Sequence, residues 1–155
     1  PARMAAVLVA SMKFEPIKIG SAPSATPGSV GLIGLPTWLW VQDPSTTTYG
    51  PNSKSVTQNG VTITAVGKVD KLVWTMGDGT SVTCTGPGTP YAESYGFSPS
   101  PDCGYRYGEP GEYDITATAW WTVTWTASTG ESGSVPLRVG SRGHLVIGEV
   151  QVINR

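Results

Sequence analysis

The segment from Tyr113 to Thr126 constrains this chain more than any other. Tyr113, Ile115, Ala117, Ala119, Trp121, Val123 and Trp125 take alternate positions, with Asp114, Thr116, Thr118, Trp120, Thr122, Thr124 and Thr126 between them. Successive strand side chains point to opposite faces, so this segment has one apolar face and one face that is almost all threonine. The face between the apolar positions is almost all threonine, a strand former, which favours the pleated sheet over a helix. A strand with one buried face needs neighbours, so the chain is expected to build an antiparallel sheet around this segment.

Other segments supply those neighbours. Val61, Ile63 and Ala65 alternate with Thr62 and Thr64, after an Asn59-Gly60 hairpin signal. Leu72, Trp74 and Met76 share one face of a second strand, which ends at Gly77-Asp78-Gly79. Ser81 to Thr85 then leads out through Cys84 into a Gly-, Pro-, Ser- and Tyr-rich loop, residues 86–104. Ser128 to Gly133 reads as a turn, and Leu145 to Ile153 as the last strand, with Val146, Val150 and Val152 inward. Leu32 to Val41 suits a strand or an aromatic clasp, and 43–54 a loop. Residues 5–19 read as one or two extended apolar strands with Pro16 at an edge or bend, and no amphipathic helix is expected anywhere. Residues 20–30 read as a linker. The expected architecture is all-β: an antiparallel, immunoglobulin-like β-sandwich over residues 31–155, preceded by an extended N-terminal strand and linker over 1–30.

Composition narrows the function classes. Charged residues are only 14% of the chain against 39% hydrophobic, with a formal net charge of −1. That balance is unlike a disordered chain, and it offers no long-range attraction to nucleic acid. The 20 Gly and 13 Pro fit many turns between short strands. The longest nearly uncharged apolar run, Met4 to Met12, is short of the ~20 residues a spanning helix needs. No leader with a charged start and a cleavage site is visible, so export is inferred from other features. Cys84 and Cys103 flank a turn-rich loop and read as a disulfide, the alternative being two unrelated buried thiols. Closing such a loop stabilises a fold by about 3 kcal/mol in the chain-entropy model.

Two segments resemble the PKD domain, the immunoglobulin-like module named for polycystic kidney disease. Val73-Trp74-Thr75-Met76-Gly77-Asp78-Gly79-Thr80 resembles its aromatic strand and Gly-Asp-Gly turn. Tyr105-Arg106-Tyr107 followed by Pro110-Gly111-Glu112-Tyr113-Asp114-Ile115-Thr116 resembles its aromatic entry, glycine turn and Tyr-led strand. The match covers about residues 56–127. Met76 stands where the family more often has Phe, and the loop between the cysteines is longer than in a minimal domain. The whole layout, from Leu35-Pro36-Thr37-Trp38-Leu39-Trp40 to Glu149-Val150-Gln151, is similar to PKD-like proteins exported by actinobacteria. The resemblance implies an extracellular or cell-surface location and a role in adhesion or binding. Independently of it, Gly77 and Gly79 permit a tight turn, Asp78 can fix that turn, and Gly111 lets the chain reverse before Tyr113.

The expected function is non-catalytic. His144 is the sole histidine, and no Gly-x-Ser-x-Gly elbow accompanies it or the nearby Ser141 and Ser132. Gly60 to Lys68 has the wrong glycine spacing for a phosphate loop, with Val69 where Ser or Thr is needed, so no nucleotide is expected. Asp78, Asp102, Glu109, Glu112 and Asp114 read as loop and turn acids rather than a glycosidase pair. A calcium site among Asp78, Asp102 and Asp114 lacks any EF-hand pattern. No metal or cofactor is expected. Trp120, set among threonines, would stack on a sugar or anchor a protein if bare, unless residues 1–41 cover it. Tyr91, Tyr95 and Tyr105 join Trp120 as candidate binding residues. The expected partner is another surface or secreted protein, or a second copy through the N-terminal strand. The alternative is a carbohydrate- or cell-wall-binding accessory module.

Overall fold

The computed structural model describes residues 1–149. In chain order it holds helix α1 (Ala2–Ser11) and strands β1 (Lys18–Ala22), β2 (Gly31–Leu32), β3 (Thr37–Gln42), β4 (Asn52–Gln58), β5 (Val61–Thr75) and β6 (Ser81–Cys84). A 3-10 turn at Glu93–Tyr95 follows, then β7 (Gly104–Tyr105), β8 (Gly111–Ala127) and β9 (Ser132–Gly148). The fold is all-β apart from α1 and that turn. A six-stranded sheet runs β2-β9-β8-β5-β4, with β6 also paired to β5, and a three-stranded sheet runs β1-β3-β7.

Strand β8 is the segment whose alternation the sequence displays. Ile115, Ala117, Ala119, Trp121, Val123 and Trp125 are all buried, and the residues between them lie on the outer face. It pairs with β9 from Gly111↔Ile147 to Thr126↔Ser132 and with β5 from Thr75↔Thr116 to Ile63↔Ala127. Asn59 and Gly60, at φ +53° and +77°, form the two-residue turn between β4 and β5. Both angles are positive, as a type I′ hairpin requires.

Two apolar clusters cover the inner face of the long sheet. In the first, Leu39 and Val41 of β3 meet Leu72, Trp74, Ile115, Ala117, Leu145 and Ile147. The three-stranded sheet thus packs over one half. In the second, Ala5, Leu8, Val9 and Met12 meet Ile63, Ala65, Val123 and Trp125, so α1 covers the other half. Phe14 packs against both clusters, its ring edge-on to Trp121 at 4.8 Å between centroids.

Over Ala2–Ser11 the expected strand is therefore corrected to a helix, whereas Lys18 and Ile19, also expected to be extended, open β1. Ala5, Leu8, Val9 and Met12 recur at i, i+3, i+4 and i+7, one helical stripe, among strong helix formers such as Ala, Met, Leu and Arg. Because the flanking residues are also apolar, no period-two pattern contradicts a strand, and the shorter period is hidden. The expectation of pairing in trans through an N-terminal strand loses its premise, since α1 is packed on its own sheet. The expected linker begins as β1, whose register with β3 runs from Lys18↔Gln42 to Ala22↔Trp38. The last strand starts at Ser132, and Leu145 and Ile147 point inward, so Val146 lies on the outer face rather than inside. Val150 and Val152 lie outside the described residues.

Cys84 and Cys103 form the disulfide, with 5.7 Å between their Cα atoms. Cys84 closes β6 on the six-stranded sheet, and Cys103 immediately precedes β7 on the three-stranded sheet. The bond therefore staples one sheet to the other. No helix among the described residues is long and apolar enough to cross a membrane.

Candidate functional site

The disulfide also closes the loop that carries most exposed aromatic surface. Loop carbonyls run beside β3: the Val41 N–H donates to the Pro87 carbonyl at 2.7 Å, and the Leu39 N–H to the Cys103 carbonyl at 3.1 Å. Trp38, 2% exposed, donates from Nε1 to the Ser98 carbonyl at 2.8 Å. Its ring stacks on Tyr95 at 5.0 Å and meets Tyr91 edge-on at 5.2 Å. The Tyr91 hydroxyl donates to the Gly96 carbonyl at 2.8 Å. A strand tryptophan thus holds the loop from below. Above it, Tyr95 remains 45% exposed and Phe97 79% exposed. A groove of about 290 Å³ runs beside them, lined in part by Phe97, Tyr91, Val30, Leu35 and Pro36. Val30 is itself 58% exposed.

The four expected binding residues separate into three places. Tyr91 and Tyr95 sit together on Trp38. Tyr105, on β7, is committed elsewhere: its hydroxyl donates to Asp78 Oδ2, and its ring lies edge-on to Tyr107 at 4.9 Å. Trp120 lies on the outer face of β8. Lys71 Nζ stands 4.2 Å from its ring centroid and the Arg138 guanidinium carbon 3.5 Å. These side chains reach over the ring from β5 and β9, the strands on either side. Trp120 is covered by two cations rather than by residues 1–41, and it is not a bare platform for a sugar ring. Its cross-strand partners account for this, since Lys71 and Arg138 share its register row.

The Gly77-Asp78-Gly79 turn has the role its residues suggest. Gly77 and Gly79 have φ of +81° and +90°, and Asp78 Oδ1 accepts from the Thr80 N–H at 2.9 Å. Desolvation works against ionisation of Asp78, yet hydrogen bonds from the Tyr105 hydroxyl and the Thr80 N–H hold its carboxyl below the usual value. Behind the turn, Tyr107 is 1% exposed and donates to the Met76 carbonyl at 2.8 Å. Burial, and then the nearby Asp78 charge, push its phenol well above the ordinary value. Gly111 opens β8, and Tyr113 stacks on Tyr107 at 4.2 Å.

His144 lies within β9, between two carboxylates. Its Nδ1 is 2.8 Å from Asp114 Oδ1, and its Nε2 is 3.3 Å from Glu112 Oε1. These contacts, Asp114 first, raise the imidazole pKa above the ordinary value. Ser141 does not face this pair. It lies on the other face of the strand, and its hydroxyl donates to the Ile17 carbonyl at 2.7 Å.

Phe97 and Val30 were not among the expected binding residues. Their signal in the sequence is faint: single apolar residues in otherwise polar, glycine-rich stretches. Only the folded chain brings the two stretches to one groove. No protein-family model matches the chain, and no curated protein matches it either.

Proposed function

We propose that this chain is a non-catalytic interaction module, secreted or held at a cell surface, that docks another protein on the patch formed by Phe97, Tyr95 and Val30. The observation that carries this reading is the exposure of Phe97, 79%, beside Val30 at 58%, on a loop that Trp38 and the disulfide hold in place. Clustered exposed apolar side chains mark interaction sites, and aromatic anchors in pockets dominate binding energies. A braced loop also loses little conformational freedom on binding. The extracellular location is supported by the disulfide, which persists in oxidising compartments. An immunoglobulin-like sandwich of PKD type is the finer fold reading. It is supported by two sheets around a shared core, a fully buried Trp74 at its centre, and a disulfide between the sheets.

The test is site-specific photo-crosslinking on the source cells. A photoreactive residue at position 97 is expected to give one discrete protein adduct, and the same residue at position 129, in the β8–β9 turn, none. Val30→Asp is expected to abolish the adduct at 97 without changing the melting temperature. Absence of any adduct at 97, or equal adducts at both positions, would reject the patch as a docking site.

A further inference from the structure

The outer face of the six-stranded sheet carries a second surface, unlike the aromatic patch. Lys71 of β5 and Arg138 of β9 flank Trp120 in one register row. Lys68 lies one row to one side, opposite Thr122. Arg142 lies two rows to the other side, opposite Thr116. Among the described residues none of these four cations forms an ion pair with a carboxylate. The chain as a whole has 10 Lys and Arg against 11 Asp and Glu, so this grouping is a local excess. The single carboxylate within it, Asp70, accepts from the Thr122 hydroxyl at 2.5 Å. The stripe ends at Asp114 and Glu112, which are held on His144.

We infer that this face binds a linear acidic polysaccharide laid along β8. From the Thr122 row to the Thr116 row the stripe is about 20 Å long at ~3.4 Å per residue, the scale of a short run of sugars. Charge complementarity selects an anionic ligand, and the guanidinium of Arg matches carboxylate geometry. Between the cations, the Thr118 hydroxyl both donates and accepts, as sugar hydroxyls do, while Thr116 is paired with Thr75 and Thr122 with Asp70, which leaves these two oxygens lone pairs to accept with. Trp120 serves as a brace, holding Lys71 and Arg138 over its ring so that less side-chain freedom is lost on binding. Because those cations cover the ring, it offers no stacking surface to the bases of a single-stranded nucleic acid. A cavity of about 430 Å³ on this face is lined by four threonines with Lys68, Asp70 and Val66, a hydroxyl-rich lining unlike the aromatic and aliphatic pocket that a protein anchor fills. A stiff chain of rings suits a continuous sheet face better than a flexible polyol-phosphate, which would lose more freedom on being ordered.

The experiment is affinity electrophoresis of the whole chain in gels containing polygalacturonate, with dextran gels and a single-stranded oligonucleotide as comparisons. Retardation is expected in polygalacturonate alone, weakening as salt rises. The variant Lys68→Gln/Arg142→Gln, which leaves the Trp120 row untouched, is expected to bind about tenfold more weakly with a flatter salt dependence and an unchanged melting temperature. Lys71→Gln/Arg138→Gln is expected to weaken binding as well, and Phe97→Ala to bind normally, which separates this surface from the protein-docking patch. No retardation, equal retardation in dextran, unchanged binding by Lys68→Gln/Arg142→Gln, or tighter binding of the oligonucleotide would each overturn the inference.

Discussion

Gly133 and Gly140 lie on the same strand and differ in what a methyl group would meet. A Cβ at Gly133 would stand 2.6 Å from Trp125 Nε1, while at Gly140 nothing lies within 4 Å. Gly133 is the register partner of Trp125, so its missing side chain is the slot in which the indole lies. Gly20 does the same for Trp40, its partner across β1 and β3, where a Cβ would approach within 2.0 Å of the indole nitrogen. Gly133→Ala is therefore expected to destabilise the fold by about 1–3 kcal/mol through overpacking. Gly140→Ala is expected to be neutral or to stabilise it by up to about 1 kcal/mol by restricting the unfolded chain. Urea denaturation of both variants checks the contrast, and equal effects would show that the slot is not filled as described. These glycines also explain a misreading. Glycine counts suggest turns, but here several glycines sit inside strands opposite tryptophans, and only the pairing reveals it.

At the scale of elements, what could be read depended on how strictly a segment alternates. Strand β8 was legible because its inward face is apolar throughout and its outward face nearly all threonine. Strand β5 is one continuous element of 15 residues, yet it reads as two strands. Ile63 and Ala65 point inward at odd positions, Leu72 and Trp74 at even ones, and the register shift between Val69 and Lys71 joins the two phases. A β-bulge inserts one residue and lets both halves keep their apolar face inward. Strand β9 was legible only at its end, because Gly133, Ser141 and Gly143 occupy inward positions. Of the binding patch, Tyr91 and Tyr95 were legible as loop aromatics, whereas their join to Val30 depends on long-range packing. The β8–β9 pairing also sets a pH response, since Asp114 and His144 are register partners. The imidazole pKa is raised in the folded state, so its favourable contribution is fully present below the unfolded value of about 6.5. That contribution is lost as pH rises through the folded value. NMR titration is expected to place His144 above 6.5, with Asp114→Asn moving it down; an unmoved value would mean that the pair is not formed in solution.

For the molecule as a whole, the disulfide joins the two sheets and closes the aromatic loop at once. Cys84→Ala/Cys103→Ala is expected to lower stability by about 3 kcal/mol, the loop-closure value for this length. It is also expected to raise the proteolytic sensitivity of residues 85–102, because Pro87 and Cys103 lend their carbonyls to β3 only while the loop lies against it. Limited proteolysis with and without reductant checks this, and cleavage sites outside the loop would point instead to general unfolding.

The pairing of β2 with the end of β9 gives the fold an order in time. Gly31 and Leu32 lie parallel to Ile147 and Gly148, so a strand made early cannot take its place until almost the whole described chain has left the ribosome. Leu145 and Ile147 are also core residues, and the first apolar cluster stays open without them. Such distant contacts make folding slow, in milliseconds to seconds rather than microseconds. During synthesis this fold therefore stays incomplete until β9 has emerged, whatever has formed before it.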